Sequence, residues 1–225
     1  KFLAPSLKSF DKESLRILFS LGVKFFVIQI SGLMLFMSSN VIISHVLTPA
    51  EVTPYQIAYR CFSILSMLFA IIASPLWSAT TDAYTIGDWK WINRMMHKMN
   101  YLLVFCFFVS VAMLAFASTF YHIWVGNKVT VQFILSALMA IYAFGLVVSN
   151  CYSNILFGIG KIRLMMRMAV IEVIAFIPIQ FYACSEYGVE GLLCILIFVT
   201  AITAFINYIQ FKKISTQTAK GIWNK

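Results

Sequence analysis

The chain has 225 residues, 61% of them hydrophobic, 16% aromatic and only 11% charged, with a formal net charge of +9 and a mean hydropathy of +0.88. A soluble domain is about half apolar and about a quarter charged, so this composition excludes an ordinary water-borne enzyme or binding module and indicates a membrane protein. The positive charge by itself is no argument for nucleic acid, because integral membrane proteins collect Lys and Arg in the loops on one side.

A helix needs about 20 apolar residues to cross the hydrocarbon, and six such spans can be read along the chain. They cover residues 18–47, 55–77, 100–121, 131–157, 164–183 and 189–211. Turn chemistry separates most of them: "LTPAEVTPY" after the first, "YHIWVGNK" after the third, "FGIGK" after the fourth and "SEYGVEG" after the fifth. Pro75 and Pro178 fall in or near span ends, where neighbouring helices tolerate a kink. Residues 1–17 read as a connection ahead of the spans, 18–211 as a six-helix lobe and 212–225 as a basic tail. The fold class expected is all-α, an integral membrane bundle.

Between the second and third spans the chain breaks for "TDAYTIGDWKWINRMMHK", within an interfacial segment expected over 78–98. Trp89, Trp91, Ile92, Met95 and Met96 there suit the acyl boundary, and Lys90, Arg94 and Lys98 suit lipid phosphates. Asp88 is placed to cap a helix that starts here.

The basic residues set the orientation. One side receives Lys1, Lys8, Lys12, Arg16, Lys90, Arg94, Lys98, Lys161, Arg163, Arg167, Lys212, Lys213, Lys220 and Lys225, whereas the other receives Lys128 with Glu51, Glu186 and Glu190. The positive-inside rule puts both termini of the segment in the cytoplasm.

Ionisable side chains inside spans are rare and tend to face a bundle interior or a water-filled cavity. Three occur here: Lys24, Arg60 and Glu172. For Lys24 and Arg60, snorkelling along the side chain's own stem and lining of a cavity are both open. Glu172 reaches less far, so it pairs structurally or takes part in transport. Gln29, Gly32, Phe36 and Asn40 share a face of the first span, and Asn150 and Asn154 stand one turn apart on the fourth. For these amides, interhelical hydrogen bonds and contacts to sugar or phosphate remain alternatives. Gly145, Ser149 and Ser153 form a separate small-residue stripe suited to helix packing.

No catalytic constellation is visible. The five cysteines (Cys61, Cys106, Cys151, Cys184 and Cys194) have no CxxC pair and lie in or beside apolar runs, as buried inert thiols do. His45, His97 and His122 share no ligand spacing. Neither a metal nor a cofactor is expected, and the chain reads as a non-enzyme. A helical bundle with a polar, net-cationic interior suggests a permeation or flipping path for something anionic.

Two stretches carry a resemblance. "SSNVIISHVLTPAEVTPYQIAYR", residues 38–60, and "SPLWSATTDAYTIGDWKWI", residues 74–92, resemble the Wzx-type flippases of the multidrug/oligosaccharidyl-lipid/polysaccharide exporter superfamily. The resemblance implies two six-helix lobes around a central cavity, of which this chain corresponds to the second, C-terminal lobe, its partner being the missing N-terminal lobe. It implies movement of an undecaprenyl-diphosphate-linked oligosaccharide from the cytoplasmic to the periplasmic leaflet of a bacterial inner membrane, for O-antigen or capsule synthesis, by alternating access. On that reading Arg60 and Lys24 offset the diphosphate charge, Gln29, Asn40, Asn150 and Asn154 hydrogen-bond the substrate, and Glu172 is the local candidate for proton or sodium coupling. The family often has an acid before the Asn of the first-span motif; here Ser39 precedes Asn40, which puts ion coupling at that position in doubt. Three alternatives stand beside it. A drug or metabolite exporter of the same superfamily favours cationic ligands. A membrane enzyme of polysaccharide synthesis is disfavoured by the short loops. A non-transporting scaffold predicts that Arg60→Ala and Glu172→Gln leave export intact.

Overall fold

A computed structural model describes residues 11–126 and 129–224, so Lys1, Lys8, Lys128 and Lys225 lie outside the described residues. Among those described there are helices and no strands. They are α1 (Lys12–Val46), α2 (Pro49–Thr85), α3 (Trp89–Val125), α4 (Phe133–Ile159), α5 (Arg163–Ile171), a π-helical turn (Glu172–Phe176), α6 (Ile177–Ser215) and a short 3-10 turn (Gly221–Asn224).

Five helical stretches are long and apolar enough to cross a membrane, where the sequence led us to expect six spans. The difference lies in the last stretch, Arg163–Ser215, which holds both the fifth and the sixth expected spans in 53 residues. At 1.5 Å per residue a straight helix of that length would run about 80 Å, against about 30 Å of hydrocarbon. The chain folds back instead. Phe176 and Phe198 have ring centroids 6.3 Å apart, and the Thr203 hydroxyl donates to the Glu172 carboxylate. A β-carbon at Gly191 would collide with the Ala183 carbonyl oxygen. Each pair is centred on residues 187–188, and there Gly188 has φ 66° and ψ −155°. Glycine adopts such a φ without the steric penalty a β-carbon brings. Two helical limbs meet at this corner, which the polar "SEYGVEG" marked in the sequence.

The registers of the other helices follow from their bonds. Ser66 Oγ donates to the Ala143 carbonyl at 3.4 Å, and Thr81 Oγ1 donates to the Gly158 carbonyl at 2.9 Å. The offset is the same in both, so α2 and α4 run parallel over about 22 Å. Gly158 permits their closest approach: a β-carbon there would stand 2.7 Å from Thr80 Cβ. Helix α3 runs antiparallel to α4, with Tyr152 bonded to Asn100 at 3.3 Å and Tyr121 to Ser136 at 3.1 Å. The small-residue stripe of α4 packs on the second limb of α6. A β-carbon on Gly145 would meet Thr200 Cγ2 at 3.2 Å, and Ser153 Oγ accepts from Asn207 Nδ2 at 3.0 Å.

These registers put the 86–88 and 160–162 turns and the end of α6 at one end of the bundle. That end carries Lys90, Arg94, Lys98, Lys161, Arg163, Lys212 and Lys213; the other carries Glu51, Glu186 and Glu190. We call them the basic and acidic ends. The core has two parts, one towards the acidic end around Tyr55, Phe62, Met139 and Leu192, and one towards the basic end around Phe69, Ile92, Leu156 and Ile162. Outside the core, Phe19, Phe26, Phe105, Phe108 and Phe133 are exposed, a surface suited to hydrocarbon rather than water.

Segment 78–98 is the end of α2, a tight turn and the first ten residues of α3. Asp88 Oδ1 accepts from the Trp91 amide at 2.9 Å, capping α3, a bond worth about 1 kcal/mol at a helix N-terminus. The expectation for Ile92 and Met96 is corrected: both are buried in the core. They lie a helical turn apart on the face of α3 that packs inward, so they cannot also face the acyl boundary.

Candidate functional site

A polar cluster lies among α1, α2, α4 and the folded-back α5–α6 stretch. Its first part is antiparallel pairing of α1 with α2. Asn40 Oδ1 accepts from Gln56 Nε2, Ser39 bonds the Tyr55 hydroxyl, and Phe36 lies against Tyr59 with ring centroids 4.7 Å apart. The four-residue spacing of Phe36 with Asn40, and of Tyr55 with Tyr59, puts each pair on one helical face. Ser39 is fully buried and also donates to the Leu35 carbonyl at 3.0 Å, so its polar atom is satisfied inside the membrane-spanning part.

Arg60 follows Gln56 by one turn. It is exposed and borders a cavity of about 350 Å³ with Thr53, Gln56, Trp124 and Val125. Among the described residues Arg60 has no ion-pair partner. A guanidinium, two hydrogen-bonding side chains and an indole in one open cavity suit an anionic or hydroxyl-rich ligand, since Arg offers a planar fork of donors and an indole offers an apolar face.

The second part is Glu172 at the start of the π-helical turn. It is half-buried and accepts from Thr203 Oγ1, which also donates to the Val199 carbonyl at 3.0 Å. Tyr142, on α4, lies within electrostatic reach of Tyr55, Tyr59 and Glu172 and so stands between the two parts. A larger vestibule of about 810 Å³ opens at the acidic end, lined by Glu51, Thr53, Gln132 and Glu190 among others.

The other expected site residues stand apart. Lys24 is half-buried on α1, about 24 Å along the helix from Asn40; its neighbour Phe25 stacks on Trp77, with 5.1 Å between centroids. Gln29 is exposed. Asn154 Nδ2 donates to the Asn150 carbonyl at 2.9 Å, within one helix. The structure thus joins Asn40 to the Gln56–Arg60 edge of the cluster, and leaves Lys24, Gln29, Asn150 and Asn154 nearer the basic end. Gln56, Trp124, Tyr142 and Thr203 were not singled out by sequence reasoning. Only Gln56 and Thr203, polar residues inside apolar runs, gave a signal there.

No three of the His, Cys, Asp and Glu side chains among the described residues cluster as metal ligands do. No family model and no solved structure matches the chain. A protein of Salmonella typhimurium (strain LT2) named "Putative O-antigen transporter" is 23% identical over 184 residues, which are 80% of this chain and 43% of that relative. The chain therefore spans less than half the length of the curated relative it matches. It is a multi-pass membrane protein with distant similarity to a protein named for O-antigen transport.

Proposed function

We propose that this chain is one lobe of a transporter that moves an undecaprenyl-diphosphate-linked oligosaccharide across the bacterial inner membrane for surface polysaccharide synthesis. The observation that carries this reading is the open Arg60–Gln56–Trp124 cavity between α2 and the end of α3, in an apolar bundle whose sequence is similar to that of a protein named "Putative O-antigen transporter". An ion in hydrocarbon without compensating groups is prohibitively unstable, so a diphosphate needs fixed donors along its way. Arg60 supplies a permanent charge, Asn40 and Gln56 supply hydrogen bonds, and Trp124 gives a sugar ring an apolar face. Lys24, Gln29, Asn150 and Asn154 extend the polar route towards the basic end, which the positive-inside rule assigns to the cytoplasm. Under this reading residues 1–17 lead in from the first lobe, 18–211 form the second lobe and 212–225 a cytoplasmic tail. The lipid tail stays among membrane lipids while the head crosses.

Glu172 is the group proposed to couple transport to a proton or sodium ion. Its carboxylate is shielded, held by Thr203, and reached electrostatically by Tyr142 at the centre of the cluster. The test is complementation by the complete gene of a strain that lacks its own O-antigen transporter. Surface glycan should return with the wild type. Glu172→Gln, at equal abundance, should lower export at least about tenfold, because a group that binds and releases an ion cannot be replaced by an amide. Wild type that fails to restore glycan in its own pathway's background would sink the transport reading. Full export by Glu172→Gln would remove that residue from coupling.

A further inference from the structure

A mostly apolar groove of about 510 Å³ runs along α4 where the second limb of α6 packs on it. Gly145 on α4, with Ala201 and Ala204 on α6, leaves the space open, and the larger Phe144, Tyr152, Phe205 and Tyr208 border it. Helix α3 flanks the α4 side. Phe107 meets Phe144 edge-on with ring centroids 5.5 Å apart, and the Tyr152 hydroxyl donates to Asn100 Oδ1 at 3.3 Å. The groove covers residues 141–152 of α4 and 197–208 of α6, about 16 Å at 1.5 Å per residue. That matches one leaflet, half of about 30 Å of hydrocarbon.

The groove is polar where it nears the basic end of the bundle. Tyr152 and Tyr208 meet there with ring centroids 5.4 Å apart, beside Asn100. Among the described residues the Tyr208 hydroxyl and Asn100 Nδ2 have no hydrogen-bond partner. Lys212 follows Tyr208 by one turn on the same face of α6, and it is exposed. Neighbouring cations at this end are engaged by the protein itself: Lys213 lies over the Trp223 ring, 4.0 Å from its centroid, and Lys161 donates to the Asn224 carbonyl at 3.2 Å. Lys212 has no ion-pair or aromatic partner among the described residues.

We propose that this groove binds an anionic phospholipid of the leaflet at the basic end. One acyl chain lies along α4, between α3 and the second limb of α6. The ester and phosphate oxygens accept from Tyr208 and Asn100, and Lys212 offsets the headgroup charge. Apolar burial alone cannot select this lipid, because its chains are already in hydrocarbon; van der Waals packing in the groove and hydrogen bonds at its mouth do so. A free ammonium at the membrane surface favours a headgroup with net negative charge. A second copy of the chain in the same membrane orientation would instead bring its own basic end beside Lys212, like charge against like. The occupied groove joins three helices, and it is separate from the Arg60 cavity, so it holds whatever the protein transports.

Thermal unfolding of the complete protein in detergent tests this, with phosphatidylglycerol or phosphatidylcholine added to the micelles. A ligand held by the folded state alone stabilises it by mass action, so phosphatidylglycerol should raise Tm by about 3 °C or more and phosphatidylcholine by much less. Ala201→Trp, which puts an indole into the groove, should abolish the rise. Lys212→Gln should respond alike to the two lipids. Arg163→Gln, which removes an equal charge from an exposed position on α5 at the same end, should keep the preference. An equal rise for wild type and Ala201→Trp would overturn the site, and so would an equal rise with either lipid. A wild-type dimer that Ala201→Trp separates would give the groove to a second copy and overturn it as well. If Ala201→Trp yields no folded protein, the other two variants decide: a lipid preference that survives Lys212→Gln overturns the proposal.

Discussion

Replacing Arg60 with Ala in the complete protein is expected to reduce surface glycan by about ten- to a hundredfold at unchanged abundance, with lipid-linked oligosaccharide accumulating inside the cell. The magnitude follows from losing a charge-assisted hydrogen bond of about 1.5–3 kcal/mol at a rate of tenfold per 1.4 kcal/mol. Arg60 is exposed at its cavity and no acid among the described residues pairs with it, so its removal leaves no buried charge uncompensated and folding should be spared. Arg60→Lys should recover part of the activity: the charge remains, but an ammonium lacks the planar fork. Pulse-labelled glycan assayed inside and outside the cell, beside an immunoblot of the membrane fraction, measures both quantities. Unchanged export would take Arg60 off the route and move the scaffold reading ahead; lower export with lower abundance would make it a folding residue.

Gly191→Val is expected to have the largest effect on stability. The new β-carbon would collide with the Ala183 carbonyl oxygen and stand 2.6 Å from Tyr187 Cβ. Backbone on one side and a β-carbon on the other leave no flexible side chain to yield. The corner must open, and opening it separates Glu172 from Thr203 and Phe176 from Phe198 along the whole hairpin. Overpacking costs about 1–3 kcal/mol where neighbours can relax, and here they cannot, so little folded protein should survive extraction. Gly32→Ala is the matched control: nothing lies within 4 Å of its added β-carbon, and replacing a helical Gly with Ala gains about 0.5–1 kcal/mol. Size-exclusion profiles of fluorescently tagged variants in detergent would separate the two. A monodisperse Gly191→Val peak at wild-type height would show that the corner is looser than its contacts indicate.

The contrast between these two glycines shows how far sequence carries. Gly32 lies inside an apolar run and Gly191 closes the polar "SEYGVEG" ahead of one, but neither flank says whether a β-carbon would fit. Whether a β-carbon fits depends on how the backbone turns at Gly188, which brings Ala183 and Tyr187 onto Gly191. The reversal inside Arg163–Ser215 likewise brings together residues far apart in the chain, such as Glu172 and Thr203. Polar "SEYGVEG" marked a corner, and Gly188, outside helical geometry, stands where the chain reverses.

The candidate site divides in the same way. Asn40, Arg60 and Glu172 were legible because a polar or charged group inside an apolar run is costly, and the cost is visible in one dimension. Gln56 and Thr203 gave the same signal but needed partners to acquire meaning: Asn40 is sixteen residues from Gln56, and Glu172 is thirty-one from Thr203. Trp124 and Tyr142 gave none, since aromatic residues are common in every span. For Asn150 and Asn154 the sequence left interhelical bonds and ligand contacts open, and the bond they make with each other lies along their own helix. Ile92 and Met96 looked interfacial beside two tryptophans, yet packing of α3 on its neighbours buried them.

The sequence by itself determined that the chain enters a membrane, where it turns and which end is basic, because transfer energy and loop charge are sums over local residues. The tertiary structure decided which polar groups meet, where α2 and α4 touch through Gly158, and that α4 and α6 leave a groove between them. Those depend on distances between residues far apart in the chain, fixed by the packing of one helix against the next.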